Sequence, residues 1–125
     1  MVTLYQVAGT VGGIVVGTGN KVEDYGVGFY TKYGDGGVDI APIADLYKTE
    51  VWMLGEHLGI DERIISAPPT DGLWDDGRTD EDQIGATYAE LEHAMETGEG
   101  PGLGPLLKFS GMNSHKMNPI PTFKL

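Results

Sequence analysis

Residues 13–20 read Gly13-Ile14-Val15-Val16-Gly17-Thr18-Gly19-Asn20, and the reading of this stretch decides the fold. Consecutive β-branched residues favour a short buried strand, because their stiff side chains pack well on a pleated surface. The strand runs straight into a glycine turn. Ahead of it Leu4, Val7, Ala8 and Val11 recur at helical spacing, and Gly12-Gly13 stop that helix. Helix, buried strand and glycine turn make the rhythm of an open α/β sheet, in which ligands sit at the carboxyl ends of strands. Function is therefore expected to begin at Thr18.

Downstream, glycine and aromatic residues alternate with charge from Asp24 to Ile43, so regular structure there is expected to be brief. Tyr47, Val51, Leu54 and Leu58 form one apolar helical face, with Gly59 as C-cap. Asp61 to Ser66 reads as a short helix closed by Pro68-Pro69, and residues 70–78 as loop. Thr87 and Glu90 form a capping box for a helix carrying Tyr88, Leu91 and Met95. Gly98 to Gly104 reads as a flexible glycine-proline stretch, and the tail as extended around Pro119 and Pro121. With no internal repeat, residues 1–125 are expected to form a single domain.

The chain carries 19 acidic and 8 basic residues, a net charge of −11. Such a surface repels phosphodiester backbones and anionic lipid, which argues against broad nucleic-acid or membrane binding. It still permits a small anionic ligand held by a few lysines, or an acidic site holding Mg²⁺. Cysteine is absent, so disulfides, thiolate metal sites and cysteine nucleophiles are excluded. The apolar run Gly13 to Gly17 is too short to span a bilayer, and no basic, apolar leader stands at Met1. A cytoplasmic chain is expected. The 20 glycines and 7 prolines imply much loop, whose ordering is costly, so packing within a larger fold or an oligomer is expected.

Several clusters have side chains suited to chemistry. At Gly17-Thr18-Gly19-Asn20, free amides and the Thr18 hydroxyl suit an adenosine or phosphate oxygen, and an Asx-type turn explains the pattern equally well. Glu23, within one turn, is placed to ligate Mg²⁺ or to be a solvated acid. Thr31-Lys32-Tyr33-Gly34-Asp35-Gly36-Gly37-Val38-Asp39 is the densest cluster. There Lys32 suits a phosphate or carboxylate, while Asp35 and Asp39 suit a ribose or an amide. Lys48 lies beside an apolar stripe at the start of a helix, where a lysine either snorkels or reaches an anion. Thr70 is a possible hydroxyl donor, and His115-Lys116 a cationic tip or an exposed pair. His57 and His93 read as structural or exposed. Asp80-Glu81-Asp82 reads as a charge run favoured by the helix dipole, with no function required.

Singly these are weak signals; their order and spacing are not. Gly17-Thr18-Gly19-Asn20-Lys21, the block Thr31 to Asp39, and Leu46-Tyr47-Lys48-Thr49-Glu50-Val51 together resemble the NAD synthetase family. So do Pro68-Pro69-Thr70, the block Thr79 to Gly85, and His115-Lys116 before a proline. The resemblance covers nearly the whole chain and is weakest from Thr97 to Gly111. It implies the C-terminal part of a Rossmann-like open parallel sheet of the adenine-nucleotide α-hydrolase type. The N-terminal strands and the Ser-Gly-Gly-x-Asp-Ser pyrophosphate loop are absent from these 125 residues.

The implied activity is that of an ammonia-dependent carbon-nitrogen ligase of NAD biosynthesis, working as a homodimer. ATP and Mg²⁺ adenylate the carboxylate of deamido-NAD, and ammonia then displaces AMP to give NAD. Carried over residue by residue, Thr18, Lys48 and Thr70 resemble ATP contacts, and Glu23 the magnesium ligand. Lys32, Asp39, His115 and Lys116 resemble deamido-NAD contacts, and Asp35 a supporting active-site acid; Lys48 also serves the chemistry. The stretch between Glu23 and Lys32 is one residue longer than in several relatives. The chain alone is expected to be inactive. The alternative is a non-catalytic dimerising or nucleotide-binding module derived from the same fold. All these assignments require Lys32, Lys48, Thr18 and Thr70 to surround one cleft.

Overall fold

The computed structural model describes residues 1–124. Helix α1, Val2–Val11, ends where Gly12 turns into the left-handed region at φ 69°, as the glycine pair predicts. The stretch after it departs from expectation. Val15 is buried, but Ile14 and Val16 are exposed, and the described residues contain no strand. What forms instead is one isolated parallel bridge between Val16 and Ile40. The Val15 carbonyl accepts from the Asp39 amide at 3.0 Å, and the Gly17 amide donates to the Ile40 carbonyl at 2.7 Å. A strand needs a ladder, and one bridging segment supplies too few hydrogen bonds to make one. The open parallel sheet is thus not present among the described residues.

A π-helix spans Lys21–Val27, begun by Asn20, whose buried side chain accepts from the amides of Val22 and Glu23. It ends at Gly28, left-handed at φ 65°, where a Cβ would stand 2.6 Å from Asn113 Cβ. Only glycine serves there. Helix α2, Lys48–His57, follows, then the short α3, Glu62–Ile65, within the expected span and capped by Asp61. The buried side of α2 is rotated from prediction: Leu54 and Leu58 are exposed, while Trp52 packs edge-on against Tyr88, centroids 6.2 Å apart.

Helix α4, Asp80–Ile84, and helix α5, Tyr88–Thr97, carry the capping boxes of Thr79 with Asp82 and Thr87 with Glu90. Helix α6, Leu103–Met117, is the element that composition concealed. It begins at Leu103, inside the expected glycine-proline stretch, and Pro105 fits the first helical turn, where its missing amide has no partner to lose. Residues 98–102 are loop and turn and residues 118–124 carry no regular structure, as expected, but between them stands the longest helix of the described residues.

The core sits where the π-helix, α4, α5 and α6 meet. Val22, Val27, Ile84, Ala86, Tyr88 and Leu91 are buried together, with Phe29, Trp52, Met95, Leu106 and Phe109 packed around them. Burying a Leu or Val side chain contributes about 1.5–3 kcal/mol each, so this cluster supplies the main driving force. Helix α6 also supplies polar ties: Asn113 donates to the Val27 carbonyl at 3.0 Å, and Lys116 to the Gly28 and Tyr30 carbonyls at 2.9 and 2.6 Å. These donors satisfy carbonyls that the end of the π-helix leaves unpaired.

Candidate functional site

Two neighbouring segments and two helix starts converge on one cavity of about 380 Å³. Asn20 starts the π-helix, which presents Glu23. Lys48 is the first residue of α2, and that first turn is held by Glu92 of α5, which accepts from the Thr49 amide and hydroxyl at 3.1 and 2.7 Å. The Asp80 amide donates to the Pro69 carbonyl at 2.9 Å, tying the Pro69-Thr70 segment to the start of α4. Thr18, Glu23, Asp35, Lys48 and Thr70 all line the cavity.

On its wall Lys48 Nζ lies 2.6 Å from Glu23 Oε1, both side chains more than four-fifths shielded from solvent. The same oxygen accepts from the Tyr88 hydroxyl at 2.7 Å, and the ammonium stands 5.2 Å from the Tyr88 ring centroid. The Tyr88 hydroxyl is also 3.1 Å from Asp80 Oδ2, while Asp80 Oδ1 is buried with no partner. Burial first, then the Glu23 charge, pushes the Tyr88 phenol well above its ordinary value, so it remains a neutral donor. Burial likewise raises the Asp80 carboxyl, against the lowering effect of its bond from Tyr88. Asp24, next to Glu23, is pushed up to about 6 by burial and then by the charges of Glu23 and Asp35.

Lys32 lies elsewhere. It borders a second, larger cavity of about 630 Å³, together with Lys116, Tyr5, Tyr30 and Tyr33. Its Nζ donates to the His115 carbonyl at 2.8 Å and stands 5.8 Å from the Tyr33 ring. The single cleft expected around Lys32, Lys48, Thr18 and Thr70 is therefore two cavities. The imidazole-bearing His115 is exposed and borders neither. Asp39 stands behind Tyr5: Oδ1 accepts from the Tyr5 hydroxyl at 3.3 Å and Oδ2 from the Val15 amide at 2.7 Å. Its carboxylate is committed within the chain.

Other polar groups combine local and cavity-facing parts. Asp35 Oδ1 accepts from the Thr31 amide at 2.8 Å, reaching back four residues to close the glycine-rich turn, whereas an Asx motif would bond forward to an amide two residues on. The Thr70 hydroxyl donates to the Arg78 carbonyl at 3.1 Å and accepts from the Gly72 amide at 3.2 Å. His57 and His93 are both exposed.

Sequence reasoning missed Tyr88 and Asp80. Tyr88 was legible only as a core residue, since its ring occupies the apolar face of α5 while its hydroxyl reaches Glu23. Asp80 was absorbed into a charge run that the helix dipole explains. The one available signal was its position at the helix start, seven residues ahead of the capping residue Thr87.

Among the described residues, no three His, Asp or Glu side chains are grouped to hold a metal by themselves. Glu23 nevertheless supplies a carboxylate on the cavity wall. Magnesium takes only one or two protein carboxylates and completes its shell with phosphate and water oxygens, so this donor fits it.

The NAD synthase family profile matches residues 1–118. Over 125 residues the chain is 43% identical to an NH(3)-dependent NAD(+) synthetase of Alkaliphilus metalliredigens, covering 97% of this chain and 50% of that protein. It is 49% identical over 100 residues to the NH(3)-dependent NAD(+) synthetase of Carboxydothermus hydrogenoformans, covering 80% of this chain and 40% of the relative. The solved structure of an NMN synthetase from Francisella tularensis superposes with a TM-score of 0.91 at 34% identity, over 99% of this chain and 52% of that one. The chain thus spans about half the length of these relatives or less.

Proposed function

Because the chain belongs to the NAD synthase family, we propose that it carries the C-terminal part of an ATP- and Mg²⁺-dependent amidation site that makes NAD from deamido-NAD and ammonia. A carboxylate is a poor acyl donor until its oxygen becomes a good leaving group. Transfer of the adenylyl group of ATP to that oxygen releases pyrophosphate, and attack by ammonia on the acyl carbon then expels AMP. The observation that carries the reading is the convergence of Thr18, Glu23, Asp35, Lys48 and Thr70 on the cavity of about 380 Å³.

In this reading the smaller cavity is the seat of ATP. Lys48 starts a helix, so its ammonium and the positive end of the helix dipole both favour an incoming phosphate. Glu23 holds Lys48 in place until then, and the pair opens as the phosphates arrive. The Thr18 and Thr70 hydroxyls donate to ATP oxygens. Glu23 would hold the magnesium, which when bound would offset phosphate charge and polarise the reacting phosphorus. The larger cavity, with Lys32 and Lys116 beside Tyr5, Tyr30 and Tyr33, suits a flat ring carrying a carboxylate. Asp39 would act through Tyr5, His115 would close over the ligand from the rim, and Asp35 would support an incoming amine. Homodimerisation and a cytoplasmic location belong to the same reading.

The test is binding by calorimetry. Lys48→Ala is expected to weaken ATP binding at least about tenfold, equivalent to roughly 1.4 kcal/mol, and to leave deamido-NAD binding unchanged. Lys32→Ala is expected to do the reverse. Wild-type chain that binds neither nucleotide would refute the reading. Nicotinate mononucleotide belongs in the same series, because the Francisella tularensis neighbour is described as an NMN synthetase. Tighter binding of the mononucleotide than of the dinucleotide would move the assignment to that substrate.

A further inference from the structure

Asp80 is only 7% exposed, and its Oδ1 has no hydrogen-bond partner, while Oδ2 lies 3.1 Å from the Tyr88 hydroxyl. Leaving a buried oxygen unpaired costs about 1–3 kcal/mol, and more when it is charged. Tyr88 cannot relieve it. A phenol has one hydrogen to give, and the shorter of its contacts, at 2.7 Å, is to Glu23 rather than Asp80.

The rest of the wall adds to the imbalance. Asp35, Asp71, Glu23 and Asp80 all border this cavity, and among the described residues Lys48 is the only basic side chain lining it. Lys48 is committed to Glu23 at 2.6 Å and makes no ion pair with Asp80 among the described residues. Packed carboxylates facing a single ammonium repel one another strongly where water is scarce. A monovalent ion offsets one excess charge; a divalent ion offsets two, and an all-oxygen donor set suits a hard one.

We propose that Asp80, with Glu23, seats a divalent cation, the Tyr88 hydroxyl anchoring Glu23 beside Asp80, a role that rests on the reading of this cavity as the seat of ATP. Asp80 is then a ligand-bearing residue of the cavity, and Tyr88 a positioning residue.

Mn²⁺ is the probe, titrated into the folded 125-residue chain without nucleotide and followed by amide NMR and water-proton relaxation. Broadening is expected to centre on the amides of Glu23, Asp80 and their neighbours. Excess Mg²⁺ should reverse it, and equal ammonium or potassium should not. Asp80→Asn, which keeps the shape and removes the charge, is expected to lower Mn²⁺ affinity at least about tenfold. Should that variant not fold, the wild-type broadening map decides the matter. Amides around Asp80 that stay sharp, unchanged affinity in folded Asp80→Asn, or equal displacement by ammonium would each overturn the seat. ATP titrated into the same samples separates the two readings. Retained ATP binding with no Mn²⁺ effect at Asp80 removes the cation seat alone. A normal Mn²⁺ map with no ATP binding removes the nucleotide reading alone.

Discussion

Asp24 shows how a single side chain can record its surroundings. Its carboxyl is pushed up to about 6, chiefly by burial and then by Glu23 and Asp35. The folded chain therefore holds a proton that the unfolded chain has already released, and stability falls as pH rises from the ordinary carboxylate range to about 6. Asp24→Asn should abolish this dependence, melting closer to wild type near pH 4 and higher than wild type near pH 7. Parallel melting curves for the two proteins across that range would show that Asp24 is not the source. The Lys48–Glu23 pair belongs to the same scale. Its members are 25 positions apart in sequence, and each alone reads as a solvated charge.

At the scale of elements, α5 and α6 matter most. Helix α5 supports the cavity wall with Tyr88 and Glu92, one turn apart: the first bonds Glu23, and the second holds the turn that bears Lys48. The corner from α5 to α6 is set by Gly102, where a Cβ would stand 2.3 Å from the Glu90 carbonyl oxygen and 2.9 Å from the Leu91 amide. Gly102→Ala must push two backbones apart, and a loss of about 1–3 kcal/mol is expected in denaturant unfolding. Gly111→Ala, on the same helix with open space around it, should instead stabilise by about 0.5–1 kcal/mol. Equal effects of the two substitutions would contradict this account of the corner.

For the molecule as a whole, two cavities replace one cleft, and helices surround an unpropagated parallel bridge. The apolar side chains of Leu4, Val7, Val11, Ile14 and Val16 remain exposed around that bridge. In keeping with a chain about half the length of its relatives, the 125 residues alone are expected to make no NAD from deamido-NAD, ATP and ammonium. Joining them to a family N-terminal half that carries the Ser-Gly-Gly-x-Asp-Ser loop should restore turnover, and Lys48→Ala in that protein should abolish it. Turnover by the chain alone, measured as NAD formed, would disprove this division of labour.

The sequence by itself determined the glycine stop of α1, the Thr87–Glu90 capping box, the Asx-type cap at Asn20 and the family, because these rest on residues a few positions apart or on blocks in fixed order. It could not reveal α6, whose glycines and proline lower helix propensity; packing on Val27 and Leu91, with Asn113 and Lys116 bonding the π-helix end, outweighs that preference. Nor could it separate Lys32 from Lys48, or bring Tyr88 and Asp80 to Glu23. Those relations join residues from 8 to 88 positions apart, and only tertiary packing fixes such distances.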